Sequence, residues 1–181
     1  MTKINCDMGE SFGIYNAGND EEIMPLIDVA NVACGFHASD PNHMRKTVEL
    51  AKKYKVKVGA HPSFPDLQGF GRREMKMPKL DLKNMIMYQV GALKAFLDEL
   101  NMPLNHIKPH GSLYVMASKD EEIARAMKKN TLPEINNMRS NMCSGDITVH
   151  LKLRGLPIDI RRLVGTFMIF YCSNHSLEFL Y

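Results

Sequence analysis

The chain has 181 residues, 45 % of them hydrophobic, and a formal net charge of +3. That length fits one domain with a sizeable core, and that hydrophobic share excludes global disorder. The small, scattered positive charge does not make a nucleic-acid surface. No apolar run approaches a membrane span, and the opening "MTKINCDMGE" lacks the apolar block of a secretory signal, so a cytoplasmic chain is expected.

In chain order, "KINCDMG" reads as a first strand and residues 20–27 as a short helical piece. "DVANVACG" is a second strand, apolar almost throughout. Asp40 then precedes Pro41, the order of a helix cap followed by proline at the first helical position. Met44, Val48, Ala51 and Tyr54 recur on one face of that helix. "KVKVGAHP" is a third strand, followed by the glycine-rich "SFPDLQGFGRRE". Pro78 opens a long helix with Leu82, Ile86, Val90, Leu93, Leu97 and Leu100 on one stripe. "NHIKPHGSLY" is a fourth strand with its exit, and Ser118 with Glu121 spells a capping box ahead of "IARAM". Strands alternating with helices at this spacing predict βαβ units and a parallel sheet. Beyond residue 128 the text changes: "ITVHLKL" and "TFMIFYC" have strand character, and the segment between them matches neither period.

The four cysteines, 6, 34, 143 and 172, have no CxxC spacing, which argues against a zinc ribbon or a redox pair. Cys6 and Cys34 sit at apolar strand ends and are expected to be buried free thiols. His43, inside the first long helix, and His106, at the start of the fourth strand, are assigned to solvated or structural positions. Most of the fourteen methionines are expected to be core filler.

Each predicted strand ends in ionisable groups. Asp7 and Glu10 follow the first, His37 and Asp40 the second. His61 and Asp66, then Arg72 and Arg73, follow the third; Lys108 and His110 follow the fourth. In a parallel sheet all strands run the same way, so these ends meet in one crevice where ligands bind. Asp7, Glu10, His37, His61, Lys108 and His110 are therefore the candidate catalytic residues. Each taken alone has a structural reading, such as a turn cap for Asp7; four such ends in succession favour a site.

The blocks "NCDMGESFG", "ANVACGFHASDP", "GAHPSFPDLQGFGRR", "YQVGAL" and "HIKPHGSLY" resemble the LamB/YcsF family, in its order and spacing, over about residues 3–127. The resemblance implies an irregular β/α barrel of metal-hydrolase or deacetylase type. It also implies ATP-driven opening of 5-oxoproline to glutamate by an A subunit together with B and C subunits. Residues 128–181 depart from the family and read as a truncated or out-of-frame tail on a single domain, so an incomplete barrel is expected.

5-Oxoproline is a lactam and a poor electrophile, which makes phosphorylation of its amide oxygen a sensible route to attack by water. Such a site needs cations for phosphate and a base for water. Lys108, Arg72 and Arg73 supply the cations, and Gly69 and Gly71 would let backbone N–H groups approach phosphate. No GxxxxGK[ST] is present, so no P-loop is expected, and Mg²⁺ would arrive with ATP. A rival enzyme uses Asp7, His37 and His61 as ligands of a divalent metal. A third reading is a non-catalytic paralogue that only binds ligand or partner subunits.

Overall fold

A computed structural model of the chain describes residues 3–121, 123 and 124. The strands expected in "ITVHLKL" and "TFMIFYC", together with Cys143 and Cys172, lie outside them.

Four strands form one parallel sheet: β1 (Asn5–Met8), β2 (Val29–Ala33), β3 (Lys57–His61) and β4 (Leu104–Ile107). Their spatial order is their chain order, β1-β2-β3-β4. A doubly wound sheet reverses direction at a switch point; this one does not. Right-handed crossovers that always step the same way put every connecting helix on one face, the winding of a β/α barrel. The fold is α/β of barrel type, and the described strands make an open arc.

The connections are α1 (Asp20–Ile23) with a 3₁₀ turn (Met24–Leu26), then α2 (Pro41–Tyr54) and α3 (Lys79–Glu99). Helix α4 (Gly111–Lys119) follows β4 where the sequence suggested only a strand exit. Gly111 opens it at φ +55°, and a Cβ there would stand 2.4 Å from the Gly71 carbonyl oxygen.

Local chemistry sets the helix ends. The Asp40 carboxylate accepts from the Asn42 and His43 N–H groups at 2.8 and 3.0 Å, with Pro41 at the first position. Lys52 and Lys53 occupy the last turn of α2, where cations complement the helix dipole. Met44, Val48 and Ala51 are buried as predicted, but Tyr54 is 38 % exposed; Thr47 takes the inward position. The chain leaves the helix at Lys55 in a left-handed conformation, with the Lys55 N–H donating to the Ala51 and Lys52 carbonyls. In α3 the stripe Leu82, Ile86, Val90, Leu93 and Leu97 is buried, with Leu100 packed partly buried beside it. Each fully buried leucine contributes about 1.5–3 kcal/mol.

The expected Ser118/Glu121 box does not form. The Ser118 hydroxyl turns back to the Val115 carbonyl at 2.8 Å inside α4. Asp120, which ends α4, faces the Ile123 N–H at 3.4 Å instead, and its carbonyl accepts from Ala124. Among the described residues no helix is long and apolar enough to cross a membrane.

Strand alternation sorts the sheet's two faces. Cys6, Met8, Ala30, Val32, Val58 and Ala60 join the core under the helices. Cys6 and Cys34 are buried and free, and burial pushes both thiols up to about 12, so neither is a nucleophile. The other face carries one polar row, in register across all four strands: Asp7, Asn31, Gly59 and His106. An extra residue, Asn105, shifts the β3–β4 register and brings His106 opposite Gly59. Only glycine fits there: a Cβ on residue 59 would lie 2.1 Å from the His106 ring.

Candidate active site

Asn31 is the one polar residue in a strand buried on both faces, and its amide is fully used. It bonds with the Asn5 side chain, donates to Asp7 Oδ1 at 2.6 Å and meets His106 Nε2 through its oxygen at 2.5 Å. Asp7 Oδ1 also accepts from Lys108 Nζ at 2.7 Å, while its other oxygen stands 3.4 Å from His61 Nε2. A carboxylate on β1 and an ammonium just past β4 thus bridge the width of the sheet.

Three imidazoles converge above that pair. His37 and His61 are each 1 % exposed and His110 is 5 % exposed. His37 stacks on His110, ring centres 3.9 Å apart and 12° from parallel, and both meet His61 edge-on. Phe70 closes over His37 and His110, centroids 5.5 and 4.8 Å away. His61 Nδ1 lies 2.6 Å from the Lys108 carbonyl, and His110 Nε2 lies 2.8 Å from the Phe70 carbonyl. The inward nitrogens, His61 Nε2 and His110 Nδ1, face each other at 2.9 Å. Among the described residues, neither nitrogen of His37 has a hydrogen-bond partner, nor has the buried Ser63 hydroxyl.

Burial and the neighbouring imidazoles push His37 down to about 2, and burial with His61 pushes His110 down to about 3. Both rings are neutral at physiological pH. They are poor proton acceptors but keep lone pairs available to a cation or a donor. Ligand atoms of Glu10, His37, His61 and His110 all lie within 4.8 Å of one another. Three imidazoles and a carboxylate are a donor set suited to a first-row transition ion, and the unpartnered nitrogens of His37 fit that use.

All six candidate catalytic residues come together here. The other strand-end acids do not. Asp40 caps α2 and accepts from the Gly13 N–H at 2.8 Å. Its hydrogen bonds from Gly13, His43 and Asn42 overcome desolvation and hold the carboxyl down at about 2. Its neighbour His43, 2.6 Å away, belongs to that cap and not to the crevice. Asp66 is the anchor of the glycine-rich loop, accepting from the Gly69 N–H, the Arg73 N–H and the Arg73 guanidinium.

That anchoring bears on the expected phosphate cradle. The N–H groups of Gly69, Phe70, Gly71, Arg72 and Arg73 all donate inside the loop, and Arg73 is paired with Asp66. Gly71, at φ +66°, serves close packing: a Cβ would stand 2.2 Å from Ser63 Oγ and 2.9 Å from His37 Cβ. Arg72 lies over the Phe70 ring at 6.0 Å, at the rim of the crevice.

Four contributors went unrecognised in the sequence. Asn31 had a signal, a lone amide in an apolar strand. His106, expected in a solvated or structural position, is buried and faces the polar row. Gln89 on α3 clamps the strand-three exit, accepting from the Ser63 N–H at 3.0 Å and donating to its carbonyl at 2.9 Å. The Asp20 carboxylate, raised by desolvation, accepts from the Gly9 N–H at 2.8 Å and so steadies the loop that carries Glu10. The last two had no local signature.

The geometry has relatives. The chain is 55 % identical over 125 residues to the A subunit of 5-oxoprolinase from Vibrio cholerae serotype O1, a match covering 69 % of this chain and 51 % of that protein. It is 56 % identical over 124 residues to the lactam utilization protein lamB of Emericella nidulans, covering 68 % and 49 %. The crystal structure of the lactam utilization protein from Thermus thermophilus superposes with a TM-score of 0.68 at 50 % identity, covering 70 % of this chain and 51 % of that one. The chain thus spans about half the length of the curated relatives it matches. The LamB/YcsF family model matches residues 2–144, past the point where the quoted motifs end. With most of its length under that match and its strand-end groups gathered in one crevice, the chain belongs to the LamB/YcsF family.

Proposed function

We propose that this chain is the A-subunit component of an ATP-dependent 5-oxoprolinase and that the crevice above Asp7 and Lys108 holds the lactam ring. The observation that carries the reading is the Asp7–Lys108 pair at 2.7 Å, beneath three buried imidazoles, in a chain whose relatives are named for 5-oxoproline and lactam chemistry. The described part matches half of those relatives, so their activity, substrate and partners come to this chain only as proposals.

The lactam oxygen takes the γ-phosphoryl group of ATP, which turns the amide carbon into an imidate-like electrophile. Water adds to that carbon and the ring C–N bond breaks, which leaves an acyl phosphate on the opened chain; a second water cleaves it to glutamate and phosphate, and ADP leaves. Lys108, held by Asp7, faces the negative charge that develops on oxygen. Asp7 is the proton acceptor for water, because His37 and His110 are held too far down to serve. Arg72, at the rim, is the cation placed for phosphate or for the substrate carboxylate. Mg²⁺ comes with the nucleotide, and the partner B and C subunits complete the nucleotide site, because the loop N–H groups of residues 69–73 already have acceptors.

The test is 5-oxoproline-dependent ADP release by this chain mixed with B and C subunits. Lys108→Ala and Asp7→Asn should each lower kcat by about 10²-fold or more. ADP release that ignores 5-oxoproline, or variants as fast as wild type, would remove the reading. The non-catalytic paralogue then stands if 5-oxoproline still binds. The rival, a metal-dependent amidohydrolase, is favoured by the four-donor set; it predicts glutamate formation without nucleotide.

A further inference from the structure

We infer that His61 Nε2 and His110 Nδ1, with Glu10 and one nitrogen of His37, hold a divalent first-row transition ion, zinc being the first to test. Hydrogen-bond accounting carries the inference. A backbone carbonyl only accepts. His61 Nδ1 faces the Lys108 carbonyl at 2.6 Å, so its proton is there. His110 Nε2 faces the Phe70 carbonyl at 2.8 Å, so its proton is there. The two remaining nitrogens each present a lone pair, and they point at each other across 2.9 Å. Two lone pairs at that distance repel, unless a positive centre lies between or beside them.

The outer bonds have the form that metal-ligating histidines show: the second N–H donates to a carbonyl, which fixes the tautomer and aims the ring. Both rings are fixed this way from different elements, one at the last residue of β3 and one past β4. His37, 1 % exposed and without a partner on either nitrogen, stacks on His110 beside the same point. Glu10 brings the carboxylate within 4.8 Å of all three. Nitrogens sharing a tetrahedral zinc stand about 3.3 Å apart, a small opening from the separation seen. Asp7 is not in the set, although the sequence nominated it. Its carboxylate bonds Lys108 Nζ and Asn31, and an ammonium 2.7 Å away opposes a second cation.

The experiment is histidine side-chain ¹⁵N NMR on the labelled 181-residue chain, before and after one equivalent of Zn²⁺. Retained metal is counted by elemental analysis after desalting. The expected spectrum has His61 protonated at Nδ1 and His110 at Nε2. One zinc is retained per chain and shifts His61 Nε2 and His110 Nδ1, while the nitrogens of His43 in the α2 cap stay in place. His110→Asn should weaken zinc binding by more than the roughly 10–100-fold that loss of a second-layer partner costs. A folded chain that retains no zinc, or a shared proton between the two rings that zinc does not displace, overturns the inference. Binding undiminished in His110→Asn does so too. Neither nucleotide nor lactam is present, so failure here is separate from failure of the oxoprolinase reading.

Discussion

Asp66 and Asp7 are both strand-end acids, yet neighbours give them opposite work. Asp66 meets a guanidinium and two N–H groups of its own loop, and the Arg73 side chain first of all holds its carboxyl down at about 2. Its unfolded value is about 3.9. A folded pKa below the unfolded one means a contribution fully present above about pH 4 and lost as pH falls toward 2. Asp66→Asn should therefore lower the urea midpoint at pH 7, and the gap from wild type should narrow between about pH 4 and 2. A gap independent of pH would mean the charge is irrelevant to the loop. Because that loop lays Phe70 and Gly71 on His37 and His110, its anchor is a positioning residue for the crevice.

Among the elements, α3 does more than cover the sheet. Its stripe of leucines is the part that helical periodicity reveals, and Gln89 is the part it hides. Both hydrogen-bonding groups of the Ser63 backbone end on that one side chain. Gln89→Leu would keep the volume and leave a buried N–H and C=O unpaired, at about 1–3 kcal/mol each. We expect a loss of roughly 2–5 kcal/mol in urea unfolding, against less than about 1.5 kcal/mol for a volume-conserving swap within the stripe, Leu93→Met. A Gln89→Leu chain as stable as wild type would show that the exit of β3 is held by the sheet alone. Helix α2 differs: its start is written in "SDP", and Asp40 acts as that tripeptide implies.

For the whole molecule, the crevice exists only when four strands stand side by side, because each supplies different groups. Substrate binding and folding are then linked. On the proposed reading, 5-oxoproline with Mg-ATP at about 100 times Kd would add about 2.7 kcal/mol to the folded state. The calorimetric Tm should rise by roughly 5–10 °C. A cooperative melt at an unchanged temperature would mean that the described strands do not bind these ligands without partner subunits. The arc has β1 and β4 as its edges among the described residues, and its match covers about half the length of the curated relatives.

Elements and caps were legible because their causes are local. Apolar spacing, Asp40 before Pro41 and the polar group closing each strand all act within a few residues, so the parallel sheet and the crevice at its end follow from text alone. The Ser118 box failed for the same reason in reverse: the unread helix α4 already occupied Ser118. Partner choice was not legible. Asp7 and Lys108 are 101 positions apart, and they meet because β1 and β4 flank the same sheet. The extra Asn105 sets His106 over Gly59, and a different register would send its ring elsewhere. By itself the sequence determined which residues have the chemistry and on which edge they gather. Only the tertiary structure decided which acid pins a loop, which pairs with a lysine, and which lone pairs are left facing each other, because cross-strand register and burial act between residues that no local pattern connects.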